Sequence, residues 1–261
     1  MTDSVFSSRF PLPAIGYRIR FSVRTYEVDK NKTMPLPALV KLLHEAAMQN
    51  VLHLKLSVWD LEPHGISWVL IRMRIEVSRY PTLGEDIEIV THPSGFDRFL
   101  THRDYRVFDR EGNEIARSSS TWLLMNMETR KIARLPQFIL DFSKQMPPKE
   151  TCLAPPSAAL PELGQTSHLM KTTVQWHELD WNGHLNNMYY VQWIMEASGT
   201  QRLEEQEVYE LDIIYKQEAI LGEKIRSELS PSGQAQTLLH RLSGPEDREL
   251  AVARSYWRTK S

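Results

Sequence analysis

The chain has 261 residues, 41% of them apolar and 25% charged, with a formal net charge of -2. Those totals describe a globular protein with length enough for two cores of ordinary size. A charge so near zero offers no global attraction for nucleic acid, and no apolar run approaches membrane-spanning length, so neither is an expected partner.

The opening stretch, MTDSVFSSRFPLPAIGYRIRF, lacks a basic segment followed by an apolar one, so no leader is expected. From Tyr17, the residues Tyr17, Ile19, Phe21 and Val23 alternate with Arg18, Arg20, Ser22 and Arg24, the period of a strand. Leu36, Leu39, Val40, Leu43, Ala46, Ala47 and Val51 then recur at helical spacing, with Pro35 at the start where proline is tolerated. Val69, Ile71, Met73, Ile75 and Val77 define one face of a further strand, and Arg72, Arg74 and Glu76 the other. Tyr105–Phe108 and Ser118–Asn126 read as strands too.

Between 146 and 168 the chain carries Pro147, Pro148, Pro155, Pro156 and Pro161 and shows no periodicity, which predicts a linker. The expected domains are therefore 1–145, N-terminal, and 169–261, C-terminal. The single cysteine, Cys152, sits in this linker; a lone thiol fits a reducing compartment and a cytoplasmic protein. After the linker, Met188 to Met195 is almost wholly apolar or aromatic, a helix buried on most sides. Leu211–Tyr215 and Ile225–Leu229 complete the expected strands. A buried helix wrapped by an antiparallel sheet is an α+β arrangement.

Absences narrow the chemistry. The most closely spaced glycines, such as Gly84 and Gly95, are 11 positions apart, which excludes GxGxxG, the Walker loop and the GxSxG elbow together. No CxxC, HExxH or EF-hand pattern occurs, so no metal site is expected.

The two halves overlay without gaps. VRTYEVDKNKTMPLPALVKLLHEA from Val23 matches VQWHELDWNGHLNNMYYVQWIMEA from Val174 at Glu27/Glu178, Asp29/Asp180, Asn31/Asn182, Glu45/Glu196 and Ala46/Ala197 among others. LGEDI at Leu83 answers LGEKI at Leu221, and the order is the same, so a domain has been duplicated. The copies differ where chemistry would sit. His184 faces Thr33, Asn186 and Asn187 face Pro35 and Leu36, and Glu218 faces Tyr80. Scaffold requires both copies, but catalysis requires only one, so the later half is read as active and the earlier as shaping a cavity.

Each residue alone has a plainer reading. Asn186 or Asn187 suits a helix N-cap. His184 suits a loop, Asp180 an Asx-turn and Glu218 a solvated pair. Together, Asp-x-Asn-x-His directs three polar groups to one side of an extended segment. The following helix N-terminus gathers N–H groups suited to an oxyanion.

These segments resemble the acyl-acyl-carrier-protein thioesterases of plants and bacteria. WVLIRMRIEVSRYPTLGEDIEI, TWLLMNMETRKIARLP, DWNGHLNNMYYVQWIMEA and YKQEAILGE stand in family order, and the resemblance runs from about Tyr17 to Trp257. It implies a tandem (double) hotdog fold, each half an antiparallel sheet around a central helix. It also implies Asp180, Asn182, His184 and Glu218 as catalytic residues, and an N-terminal half that lines the acyl-chain pocket. The products would be a free fatty acid and the carrier protein, with no cofactor. Many relatives carry a cysteine after the matching glutamate; here that residue is Ala219, so activated water is the expected nucleophile.

On this reading Glu218 is the general base and His184 its partner. A carboxylate buried against an apolar tunnel would have a raised pKa. Asn182 would donate to the carbonyl oxygen, and Asp180 would orient Asn182 and His184 and stabilise an imidazolium. The sequence leaves open which of Glu218 and His184 takes the proton, and Asp180 as the base is a further alternative. Candidates for the acyl pocket are Leu39, Leu43, Ala47, Val69, Ile71 and Met73, each equally at home in plain core. Arg130, Lys131 and Arg134 are candidates for docking the acidic carrier. Rival functions are an acyl-CoA thioesterase, a hotdog dehydratase and a non-catalytic acyl-binding protein. Both a monomer and a homodimer of tandem units are compatible with the sequence.

Overall fold

A computed structural model describes residues 10–156 and 159–260. Residues 1–9 of the opening stretch read for a leader lie outside them. The chain forms two compact units, 1–156 and 157–261.

In the N-terminal unit the strands are β1 (Tyr17–Ser22), β2 (Ile66–Val77), β3 (Asp86–Asp97), β4 (Leu100–Phe108), β5 (Glu114–Asn126) and the short β6 (Ile132–Ala133). They pair antiparallel in the order β1-β3-β4-β5-β2, with β6 on β5. Helix α1 (Leu36–His53) packs on β1 and β3. Its stripe of Leu39, Val40, Leu43 and Ala46 is buried, while Lys41 and Glu45 on the other side are exposed. Burying a leucine such as Leu39 or Leu43 stabilises the unit by about 1.5–3 kcal/mol.

Strand β2 departs from the expected alternation. Pairing with β5 slips between Leu70 and Arg72, leaving Ile71 as an extra residue. A bulge of this kind reverses which side chains face inward. Met73, Ile75 and Val77 are buried as expected, but before the bulge the buried residues are Leu70 and Ile66. Val69 and Ile71 are only half-buried and do not continue the Met73 face.

The proline-rich segment is not a free tether. Leu153 N–H donates to Asp104 Oδ2 at 2.6 Å and Ser119 Oγ to the Ala154 carbonyl at 3.3 Å, within the N-terminal unit. Further along, Gly164 N–H donates to Ser230 Oγ at 3.1 Å and Ser167 N–H to the Leu229 carbonyl at 2.8 Å, within the C-terminal unit.

The C-terminal unit repeats the plan. Its strands are β7 (His168–Thr173), β8 (Gln206–Tyr215), β9 (Lys224–Pro231), β10 (Thr237–Ser243) and β11 (Glu249–Thr259), in the order β7-β9-β10-β11-β8. This matches β1-β3-β4-β5-β2 strand for strand. Register is kept as well: Ser22 faces Asp86 and Arg20 faces Glu88, as Thr173 faces Lys224 and Lys171 faces Arg226. Helix α2 (Asn187–Ala197) packs on β7, β9 and β10, and of its residues only Glu196 is exposed.

Candidate active site

The loop from Val174 to Asn186 joins β7 to α2 and is built around Asp180. Asp180 Oδ1 accepts the main-chain N–H of Asn182 (2.8 Å) and of His184 (3.2 Å). Its own N–H donates to the His184 carbonyl at 2.7 Å. Gly183 closes the turn at φ 77°, in the left-handed region that suits glycine. Beyond the turn, Leu185 N–H donates to the Ala219 carbonyl at 2.8 Å, and His184 bridges Ile220. The loop is thereby laid beside the segment that carries Glu218.

His184 Nδ1 lies 3.4 Å from Glu218 Oε1. This is just beyond ordinary hydrogen-bond length, as is common before substrate tightens a site. With Nδ1 turned to the carboxylate, Nε2 is the ring nitrogen left for water or substrate. The side chains are 23% and 36% exposed, so water reaches both; the expected burial of the carboxylate is not seen. The Asn182 side chain is exposed and makes no hydrogen bond among the described residues, leaving its amide available to a carbonyl oxygen. Asn186 caps α2, its side-chain oxygen accepting Met188 N–H at 3.1 Å. Asp180 positions Asn182 and His184 through their main chains, not through the imidazole or the amide.

Two residues that hold the Glu218 segment are not singled out by the sequence. Tyr190 on α2 donates its hydroxyl to the Gln217 carbonyl at 3.1 Å and meets Tyr215 edge-on at 5.5 Å. Burial pushes the Tyr190 phenol well above its usual pKa, so it remains a donor. Arg248, at the β10–β11 turn, donates Nη1 to the Glu218 carbonyl at 2.8 Å and grips Glu223 at 2.7 and 2.6 Å. An aromatic hydroxyl in an otherwise apolar helix is the one available hint of Tyr190; Arg248 is distant in sequence. Arg248→Ala is expected to lower kcat by about tenfold with KM little changed, and Arg248→Lys to recover part of it. Steady-state kinetics beside thermal melts would separate this from a loss of folding.

The N-terminal unit contains the same loop without the acid–base pair. Asp29 Oδ1 accepts Asn31 N–H (2.8 Å) and Thr33 N–H (3.2 Å), Thr33 bridges Thr82, and Met34 N–H donates to the Pro81 carbonyl at 2.9 Å. Thr33 takes the place of His184, and the buried Tyr80 that of Glu218.

Family models for the acyl-ACP thioesterase N-terminal and C-terminal domains match residues 15–142 and 162–259. The chain belongs to the acyl-ACP thioesterase family. It is 29% identical to a chloroplastic acyl-[acyl-carrier-protein] hydrolase of Cuphea viscosissima, over 94% of this chain and 63% of that one. It is 26% identical to the chloroplastic palmitoyl-acyl carrier protein thioesterase of Arabidopsis thaliana, over 100% of this chain and 68% of that one. It thus spans under two thirds of the length of the first of these relatives. Among solved structures it resembles the 12:0-ACP thioesterase from Umbellularia californica, with TM-score 0.86, 23% identity and coverage of 96% and 100% of the two chains. It also resembles an acyl-ACP thioesterase from Bacteroides thetaiotaomicron, with TM-score 0.81, 19% identity and coverage of 94% and 98%. These likenesses establish the tandem hotdog fold.

In this acyl-ACP thioesterase family member the residue after Glu218 is the fully buried Ala219. Cys152, in the N-terminal unit, has its thiol pKa raised by burial and then by Asp104, which suppresses the thiolate. Cys152→Ser is expected to retain turnover within about twofold, as a thiol outside the mechanism would. A fatty-acid release assay on both proteins checks this. The acyl-pocket candidates Leu39, Leu43, Ala47 and Met73 are buried in the N-terminal core, unlike Val69 and Ile71. The docking candidates Arg130, Lys131 and Arg134 are exposed at and just after the β5–β6 turn.

Proposed function

We propose that the protein hydrolyses acyl-acyl-carrier-protein to a free fatty acid and the carrier. The observation that carries this is the 3.4 Å approach of His184 Nδ1 to Glu218 Oε1, on a loop whose unreactive twin is kept in the N-terminal unit. Glu218, paired with His184, takes a proton from water, and the resulting hydroxide attacks the thioester carbon. The carbonyl oxygen becomes an oxyanion, held by the Asn182 amide with the positive end of the α2 dipole nearby. Collapse of this intermediate breaks the carbon–sulfur bond, and the proton held by the pair goes to the departing thiolate. Asp180 keeps the loop in register throughout.

The acyl tail is assigned to the N-terminal unit, the copy that keeps the scaffold without the pair. The domain assignment follows: 1–145 for the tail, 146–168 as connector and 169–261 for chemistry. Fatty acid biosynthesis on a carrier would supply the substrate. The lone thiol supports a cytoplasmic setting. The nearest alternative keeps the reaction and takes acyl-CoA. The deciding experiment offers one acyl chain on the carrier and on CoA and measures released fatty acid. A higher kcat/KM on CoA would transfer the assignment to that substrate.

A further inference from the structure

The two units share strand order, register and the Asp-centred loop, so each position in one copy is an internal control for its counterpart in the other. Around the His184–Glu218 pair, this comparison exposes side chains that the backbone does not require. Trp176 stands where the N-terminal unit has Thr25, Trp181 where it has Lys30, and Ile220 where it has Thr82. All three are solvent-facing, at 69%, 67% and 52% exposure. Leu221 is exposed too, but so is its counterpart Leu83, and it discriminates nothing. Thr82 and Ile220 occupy the same bridge position, so threonine satisfies the backbone there as well as isoleucine does. Large apolar side chains held in water on the loop and the segment that carry His184 and Glu218 make these the residues to test as a surface covered during function.

Charge changes at the same end of the sheet. Facing strand positions carry Asp86 and Glu88 in the N-terminal unit, and Lys224 and Arg226 in the C-terminal one. Asp86 pairs with Arg110, and Glu88 with Arg20. Arg226 pairs with Asp247, but Lys224 and the neighbouring Lys171 are exposed and make no ion pair among the described residues. Lys224 directly follows the turn that ends the Glu218 segment. Exposed tryptophans on the Asp180 loop, with unpaired cations on the strands that flank it, are the residue types that dock an acidic protein.

We propose that Trp176, Trp181, Ile220 and Lys224 form the surface on which the acidic carrier protein seats while its pantetheine arm delivers the thioester to His184 and Glu218. This rests on the acyl-carrier reading above. It selects the carrier because a thioester tethered by an arm must be presented from beside the pair. Trp181 lies in the Asp180 turn, and Ile220 bridges His184.

The test installs the N-terminal residues on the C-terminal backbone: Trp176→Thr, Ile220→Thr and Lys224→Asp in one full-length chain. For an acyl-carrier substrate kcat/KM is expected to fall about 10- to 100-fold, mostly through KM, while the same acyl chain on free pantetheine keeps its value within about twofold. Lys224→Asp alone, the change least able to disturb folding, is expected to raise KM for the carrier substrate about three- to tenfold at low salt, and less at high salt. Equal loss on both substrates, or no loss on either, overturns the proposal. So does a carrier-specific loss that appears on charge reversal of Arg130, Lys131 and Arg134 and not in the triple variant. Binding of wild type to phosphatidylglycerol–phosphatidylcholine vesicles that the triple variant loses, with carrier kinetics unchanged, would assign the surface to lipid instead. A wild type that releases fatty acid from neither substrate overturns the functional reading itself and the docking surface with it.

Discussion

Glu218→Gln is expected to lower kcat about 10²- to 10⁴-fold, the usual worth of a positioned general base, with little change in KM. The amide preserves the shape of the side chain but cannot take a proton from water. The main chain is held independently, by Arg248 on the Glu218 carbonyl and by Leu185 on the Ala219 carbonyl, so the loop should survive the change. His184→Ala is expected to cost a similar factor, and the double variant little more than either single, because the pair acts as one unit. Single-turnover release of fatty acid measures all three. Near-wild-type turnover by Glu218→Gln would end its assignment as base and direct attention to Asp180.

The second large effect separates scaffold from chemistry at matched positions. Asp180→Ala and Asp29→Ala each leave two main-chain N–H groups without their acceptor. Each is expected to cost about 1–2 kcal/mol of stability, toward the low end because both loops touch water. Their effects on turnover should diverge. Asp180→Ala releases the segment bearing Asn182 and His184, and a shift of about 1 Å there is worth about 10²-fold in kcat. Asp29→Ala loosens a loop without the acid–base pair and should leave kcat within about threefold. Thermal melts and steady-state kinetics on the two variants give the comparison. If Asp180→Ala keeps its activity while losing stability, the loop does not position the site.

Much of the site was legible because duplication placed an experiment in the chain. Asp29 and Asn31 are retained opposite Asp180 and Asn182, while His184 and Glu218 meet Thr33 and Tyr80, so the sequence alone sets the candidate acid–base pair apart from the positions both copies share. Strands exposed on one side, such as β1, announced themselves by alternation. Strand β3 did not, because it is buried continuously from Ile87 to His92 and a strand covered on both faces has no period of two. The same holds for most of β10, from Thr237 to His240.

The sequence by itself determined the doubled fold, the helix and strand types of the main elements, and which copy holds the histidine and the carboxylate. Those properties follow from local periodicity and from comparing one half with the other. Only the tertiary structure decided that Ile71 bulges and turns Val69 off the Met73 face, that Asp180 works through backbone N–H groups, and that Tyr190 and Arg248 hold the Glu218 segment. The bulge and the Tyr190 and Arg248 contacts depend on which distant groups meet, and hydrogen-bond partners some 30 residues apart leave no periodic trace in the chain. The Asp180 bonds are local, and the fold selects among the turn and catalytic roles the sequence allows there.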